Sequence, residues 1–381
     1  MKIRYFDNSA TTRVKEEVLK EMIPYFNEKF GNPSSAYTMG REAKRAIEES
    51  RIKVSKLINC NSSEIYFTCG GSESNNMIIK GIAYANKNRG NHIITTKIEH
   101  PSVLNTCETL QKQGFEITYL NVNQDGVIDL NELRNSIKNN TILITIMFAN
   151  NEIGTIQPIY EISRIAKMYN IIFHTDGVQA CGNIQIDVKR MGIDCLSMSG
   201  HKIYGPKGIG AAYIKSGINI DKLIDGGHQE KDKRAGTENV PGIIGLGKAC
   251  ELSRINLFEH INYLQKLRDY YISKVEEKIE NVKLNGSRKN RLPGNSNFSF
   301  QDIDGEALLL NLDAIGICAS SGSACSTGTN NPSHVLKAIG LTDEMSYGAL
   351  RTTFGEDNTI EDIDYLVDNL CEIVKRLRKT Y

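Results

Sequence analysis

The sequence predicts an α/β protein: a large domain with a mostly parallel mixed sheet between helices, and a smaller α+β domain beside it. Three observations carry this. Between about residues 45 and 215, short β-branched runs alternate with segments of helical spacing. The runs are largely apolar rather than alternating residue by residue with polar ones, as strands covered on both faces are. The pattern then changes after about residue 250, where a charged helix precedes shorter elements. At roughly 150 residues per domain, a chain of 381 residues also suits two domains.

The strands expected in order are Glu64–Thr68, His92–Thr96, Glu116–Asn121, Thr141–Phe148, Ile171–Thr175, Asp194–Ser199 and Gly210–Ile214. Tyr66-Phe-Thr-Cys-Gly-Gly-Ser-Glu-Ser-Asn-Asn76 runs from the first of them through two glycines into a helix over Met77–Ala85. Gly242-Ile-Ile-Gly-Leu-Gly247 reads as a place where a helix packs closely. A single long helix is expected over Ala249–Ile279, then a polar stretch at Asn285–Asn295. The last helix is the clearest: Ile360, Ile363, Leu366, Val367, Leu370, Ile373, Val374 and Leu377 fall on one face. Thr359 with Asp362 forms a capping-box pattern at its start, and Arg376, Arg378 and Lys379 suit the negative end of its dipole.

Lys+Arg is 46 and Asp+Glu 45, a net charge of +1 that argues against a protein devoted to nucleic acid or anionic membranes. No apolar stretch follows Met-Lys-Ile-Arg-Tyr-Phe-Asp-Asn-Ser9, so no secretory signal is expected. The run Ile142–Ala149 falls far short of the ~20 residues a membrane helix needs. Nine scattered cysteines without a C-x-x-C pair read as reduced thiols of a cytoplasmic protein and argue against structural zinc.

Several residues could carry chemistry. Lys202, in Ser197-Met-Ser-Gly-His-Lys-Ile-Tyr-Gly-Pro-Lys-Gly-Ile-Gly210, stands where a strand meets a glycine-rich turn. Desolvated there, its amine could form a Schiff base with a carbonyl cofactor; a lone turn lysine is otherwise a solvated surface residue. Asp176 ends the apolar strand Ile171-Ile-Phe-His-Thr-Asp176. A buried carboxylate needs a cation or donors, and a protonated pyridine nitrogen is one partner beside an arginine or a helix start. The Gly70-Gly71-Ser72 turn offers free amides and a hydroxyl to a phosphate, though such turns also arise for steric reasons. No dinucleotide or P-loop glycine pattern is present.

Cys325 lies among small polar residues in Ala319-Ser-Ser-Gly-Ser-Ala-Cys-Ser-Thr-Gly-Thr-Asn-Asn-Pro-Ser333 and reads as an exposed thiol on a mobile loop, either a nucleophile or inert. Cys318, after Ile317, reads as core. Arg351, in a strand away from other charges, suits bidentate capture of a substrate carboxylate or a structural ion pair. His100 and Asn151 follow strands, and His100 could face an aromatic ring or move a proton.

Together these segments closely resemble the cysteine desulfurases of the NifS/IscS type, within the class V aminotransferase family of fold type I pyridoxal phosphate enzymes. The likeness runs nearly end to end. It covers Phe6-Asp-Asn-Ser-Ala-Thr-Thr12, Phe30-Gly-Asn-Pro-Ser-Ser35, Glu99-His-Pro101, Asn150-Asn-Glu-Ile-Gly154, His174-Thr-Asp-Gly-Val-Gln179 and Ser199-Gly-His-Lys202. It continues through Arg234-Ala-Gly-Thr-Glu-Asn239, Ser321-Gly-Ser-Ala-Cys325 and Pro332-Ser-His-Val-Leu336.

The resemblance implies a fold type I transferase with a large cofactor domain over 15–257. A small domain over 1–14 and 258–381 would carry the cysteine loop 319–333. It implies that Lys202 carries pyridoxal 5'-phosphate, Asp176 pairs with its ring nitrogen, His100 stacks on the ring and Gln179 bonds its phenolic oxygen. Gly71, Ser72, Ser199, Gly200 and His201 would hold the phosphate, with Thr237 reaching in from a second subunit of a homodimer. Asn151 would contact cofactor and substrate, and Arg351 would bind the carboxylate of L-cysteine. Cys325 would accept the sulphur as a persulfide and pass it to an iron–sulphur scaffold or another acceptor. No intrinsic metal site is implied, although Cys325 could serve as a transient iron–sulphur ligand with such a scaffold. The alternatives are another reaction on the same cofactor, such as selenocysteine lysis or transamination, or a non-catalytic adaptor.

Overall fold

The computed structural model describes residues 2–322 and 332–379. Its strands are β1 (Arg4–Tyr5), β2 (Ile65–Thr68), β3 (His92–Thr96), β4 (Glu116–Leu120), β5 (Thr141–Thr145), β6 (Ile172–Asp176), β7 (Cys195–Ser199), β8 (Gly210–Ile214), β9 (Val282–Leu284), β10 (Asn295–Phe300), β11 (Ile317–Cys318) and β12 (Ala349–Thr353). The central sheet has seven strands in the order β2-β8-β7-β6-β5-β3-β4. Its β3, β4, β5, β6 and β7 are parallel to one another, and β8 runs antiparallel to both its neighbours. The α/β expectation with a mostly parallel mixed sheet holds.

Why these strands read as unbroken apolar runs is visible in the core. Ile93, Leu143, Ile172 and Cys195 belong to one hydrophobic cluster, which takes in Met77, Ile78 and Ile82 of helix Gly71–Ala85. Their immediate neighbours Ile94, Ile144, Phe173 and Leu196 belong to another, with residues of helices Thr38–Ile58, Ile159–Met168 and Val240–Ile255. Successive strand side chains point to opposite faces, so a sheet covered twice has no polar face to alternate with.

A separate cluster surrounds the antiparallel sheet β9-β10-β12 and joins Phe298, Phe300 and Leu350 to helices Leu257–Lys278 and Ile360–Arg378. Phe6, just past β1, is buried in it, and β1 pairs in parallel with β11. No helix among the described residues is long and apolar enough to cross a membrane.

Three expected elements differ by more than a residue or two. The helix expected over Met77–Ala85 begins six residues earlier, at Gly71, directly after the positive-φ Gly70. The single helix over Ala249–Ile279 is two helices, Val240–Ile255 and Leu257–Lys278, meeting at Asn256. The first starts early because Asn239 caps it by accepting from Gly242 N and Pro241 occupies its first turn, where the lost N–H costs nothing. Each half buries its apolar face in a different core, so the chain redirects between them. The strand expected over Thr141–Phe148 stops at Thr145, because the Met147 amide turns to the Glu99 carboxylate.

The capping box of the last helix is present: Asp362 N donates to Thr359 Oγ1, and Thr359 N to the Asp362 carboxylate, both at 3.3 Å. That carboxylate also accepts from Lys2 Nζ at 2.7 Å and Arg4 Nε at 3.1 Å. Burial would raise the Asp362 carboxyl, but these donors outweigh it and hold it below its ordinary value. A carboxyl depressed by folding stabilises the protein above its unfolded pKa and loses that contribution as pH falls through the folded one. Asp362→Ala should therefore cost about 1–2 kcal/mol near neutrality, seen as a lower denaturation midpoint. The gap to the unsubstituted protein should close as pH drops below about 4.

Candidate active site

In open α/β sheets ligands settle beyond the carboxyl ends of the parallel strands. Here the chain leaving β3, β5, β6 and β7 borders a cavity of about 230 Å³. His100 follows β3, Asn151 follows β5, Asp176 ends β6, and Ser199, His201 and Lys202 follow β7.

Lys202 closes a single turn, Gly200–Lys202, directly after β7. Gly200 is needed there, since a Cβ would stand 2.9 Å from the Pro206 carbonyl. The Lys202 amine donates to the main-chain oxygens of Ser9 at 2.5 Å and Ala10 at 2.7 Å. Asp176 is 7% exposed and accepts from Asn75 Nδ2 at 2.7 Å and Val178 N at 3.0 Å. Gln179 is buried and donates to Ser9 O at 3.0 Å.

His100 caps helix Pro101–Lys112, its Nδ1 accepting from Ser102 N at 3.1 Å. Burial lowers its imidazole below the ordinary histidine range, against the opposing pull of Asp176, so a neutral ring forms part of the cavity wall near neutral pH. Burial lowers His201 further, to about 4, with help from Lys202 and Lys207.

The start of helix Gly71–Ala85 borders the same cavity, with Gly71, Ser72, Ser199 and His201 in the lining. Gly70 has φ +154°, and a Cβ on Gly71 would come within 2.6 Å of Val178 Cγ2. Free amides, the positive end of a helix of 15 residues and two hydroxyls suit a phosphate. A primary amine, a buried carboxylate, a flat ring and an anion seat border one cavity, and so the residues present fit pyridoxal phosphate.

Arg351 in β12 lies against the same cavity, 1% exposed. The expectation that it stands away from other charges is wrong. Its Nη2 donates to Asp7 Oδ1 at 2.7 Å, and its Nη1 to the Asn151 carbonyl at 3.2 Å. Asp7 is 344 positions earlier, brought there by the bridge between Asp7 and Thr353 beside β12. Nε of Arg351 is buried with no hydrogen-bond partner among the described residues.

The structure thus gathers Lys202, Asp176, His100, Gln179, Gly71, Ser72, Ser199, His201, Asn151 and Arg351 around one cavity. Gly200 lies behind the lining, and Thr237 is exposed, three residues before helix Val240–Ile255. Cys325 lies outside the described residues. Cys318 is a correction: on the two-residue β11 it is half-buried rather than core.

Sequence reasoning missed Asn75, which holds Asp176, and the Ser9 and Ala10 carbonyls, which hold the Lys202 amine. The Asn75-Asn76 pair, which begins three residues after the Gly70-Gly71-Ser72 turn, was the only available signal for the first. Main-chain acceptors leave none.

Glu99, next to His100, is fully buried and accepts from Thr96 Oγ1 at 2.7 Å and Met147 N at 3.0 Å. Burial, with the charge of Asp176, pushes its carboxyl up to about 8. An acid raised by folding costs stability progressively as pH climbs from its unfolded to its folded value. Glu99→Gln should therefore gain in melting temperature relative to the unsubstituted protein as pH rises from about 5 to 9. Melting curves across that range check it, and a pH-independent difference contradicts it.

The aminotransferase class-V family matches residues 4–366. The chain is 54% identical over 377 residues to "Cysteine desulfurase IscS" of Clostridium botulinum, covering 98% of this chain and 95% of that one. It is 54% identical over 374 residues to the protein of the same name from Dictyoglomus turgidum, with 98% and 95% covered. The solved structure titled "NIFS-LIKE PROTEIN" superposes with a TM-score of 0.93 at 39% identity, over 98% of this chain and 100% of that one.

Proposed function

The chain belongs to the aminotransferase class-V family and is a pyridoxal-phosphate-dependent cysteine desulfurase, and from that premise we propose how its residues divide the work. What supports the reading most is the meeting of the Lys202 amine, the Asp176 carboxylate and the Arg351 guanidinium at one cavity.

When bound, pyridoxal phosphate supplies an electron sink for charge that develops at the substrate Cα. Lys202 would carry it through its amine. Asp176 would keep the ring nitrogen protonated, with Asn75 and the Val178 amide fixing the carboxylate. His100 would face the ring as a neutral imidazole, and Gln179 would bond the phenolic oxygen. Gly71, Ser72, Ser199, Gly200 and His201 would hold the phosphate, with Thr237 supplied by a second subunit.

Arg351 and Asn151 would hold the carboxylate of L-cysteine and so place its Cα proton toward the Lys202 amine, which removes it. The Cys325 thiolate then attacks the substrate sulphur. The C–S bond breaks with its electron pair left on carbon, protonation of that carbon completes L-alanine, and the sulphur stays on Cys325 as a persulfide.

The reading extends to a cytoplasmic homodimer that hands its sulphur to an iron–sulphur scaffold or another acceptor. It also divides the chain into a large domain over 15–257 and a small one over 1–14 and 258–381. Incubation with L-cysteine and a reductant, with alanine and sulphide measured together, tests the activity. Equal amounts of the two are expected, and failure to form either refutes it.

A further inference from the structure

Asp7 has no part in the division of work above, yet it is the carboxylate that Arg351 meets. The chain leaves β1 at Tyr5, and within five residues it presents the Ser9 and Ala10 carbonyls to Lys202. Asp7 lies between these points with its two oxygens engaged in different directions. Oδ1 accepts from Arg351 Nη2 at 2.7 Å, and Oδ2 accepts from the Ser320 hydroxyl at 2.8 Å. The pair is sheltered, with side-chain exposures of 1% for Arg351 and 14% for Asp7. The guanidinium is pinned by Asp7 on one nitrogen and the Asn151 carbonyl on another, while the buried Nε meets no hydrogen-bond partner among the described residues.

We propose that Asp7 is a positioning residue for the substrate carboxylate: it fixes the Arg351 guanidinium in its orientation and, as a resident counter-ion, makes it a poor site for simple carboxylates. A second carboxylate on this guanidinium lies close to Asp7 and is repelled. A ligand overcomes that only if the rest of it is bound elsewhere in the cavity. An α-amino acid held through its amino group meets the condition, and acetate does not. The inference rests on the reading that Arg351 receives the substrate carboxylate.

The test uses the cofactor-loaded enzyme, with steady-state kinetics on L-cysteine and acetate as competing anion. Asp7→Asn keeps an acceptor oxygen for Nη2 but removes the charge. The acetate inhibition constant should fall about fivefold or more, with kcat within about twofold of the unsubstituted enzyme. Asp7→Ala removes the anchor as well, so KM for L-cysteine should rise about tenfold with kcat little changed. In an Arg351→Ala background the same Asp7→Ala change should move KM less than about twofold, because the residue it acts through is gone.

Unaltered acetate inhibition in Asp7→Asn overturns the proposal. So does a KM effect of Asp7→Ala that persists undiminished without Arg351, which would place its action at Ser320 instead. Should the alanine variant fail to fold, the asparagine variant decides alone. An unsubstituted enzyme that forms no alanine from L-cysteine refutes the parent reading, whereas an active one with unchanged acetate inhibition in Asp7→Asn refutes this inference only.

Discussion

Lys202→Ala is expected to lower alanine formation from L-cysteine by about a thousandfold or more, because one change removes both the cofactor's covalent tether and the base for the Cα proton. The fold should survive. The amine rests on the carbonyls of Ser9 and Ala10, and the side chain belongs to none of the hydrophobic clusters. Alanine release measures the loss. Borohydride treatment of the unsubstituted enzyme followed by peptide mapping should place a pyridoxyl group on Lys202. A variant that works within about tenfold of the original would remove Lys202 from the role of base.

Cys325→Ser should abolish sulphide release while leaving L-cysteine binding intact, since the groups proposed to receive the substrate carboxylate lie elsewhere, in β12 and after β5. A serine hydroxyl cannot take up sulphur as a persulfide. The other cysteines are poor replacements. Burial pushes Cys60, Cys107 and Cys181 up to about 12. The exposed Cys69 is raised to about 11, by desolvation and then by Glu73. Near neutral pH each is a thiol rather than the thiolate that attacks sulphur. Labelling with sulphur-35 cysteine should therefore mark the original protein and not the variant. Undiminished label or sulphide in the variant would reassign the acceptor.

The layered sheet was readable in the chain because both its faces are covered, which leaves Ile93-Ile94, Leu143-Ile144 and Ile172-Phe173 without polar interruption. The break at Asn256 was not, since residues on either side keep helical spacing and only their destinations in two different cores force the bend. Around the cavity, Lys202, Asp176 and the glycine turn announced themselves by standing where strands end. The partner of Arg351 did not, because nothing local connects residues 344 positions apart. The acceptors of the Lys202 amine are backbone atoms, which every residue carries, so no side-chain pattern marks them.

The segment from Phe6 to Thr12 laces the two halves of the molecule together. Thr353 N donates to the Phe6 carbonyl on one side, and Thr12 N donates to the His201 carbonyl at 2.9 Å on the other. Proteolytic trimming of about a dozen residues would therefore be disproportionately damaging. The loss would take Phe6 out of the core around β10 and β12 and the Lys2 and Arg4 donors from Asp362, so stability would fall, and with them would go the resting place of the Lys202 amine and the anion beside Arg351. Batches that melt early and turn over poorly should first be checked for an intact amino terminus.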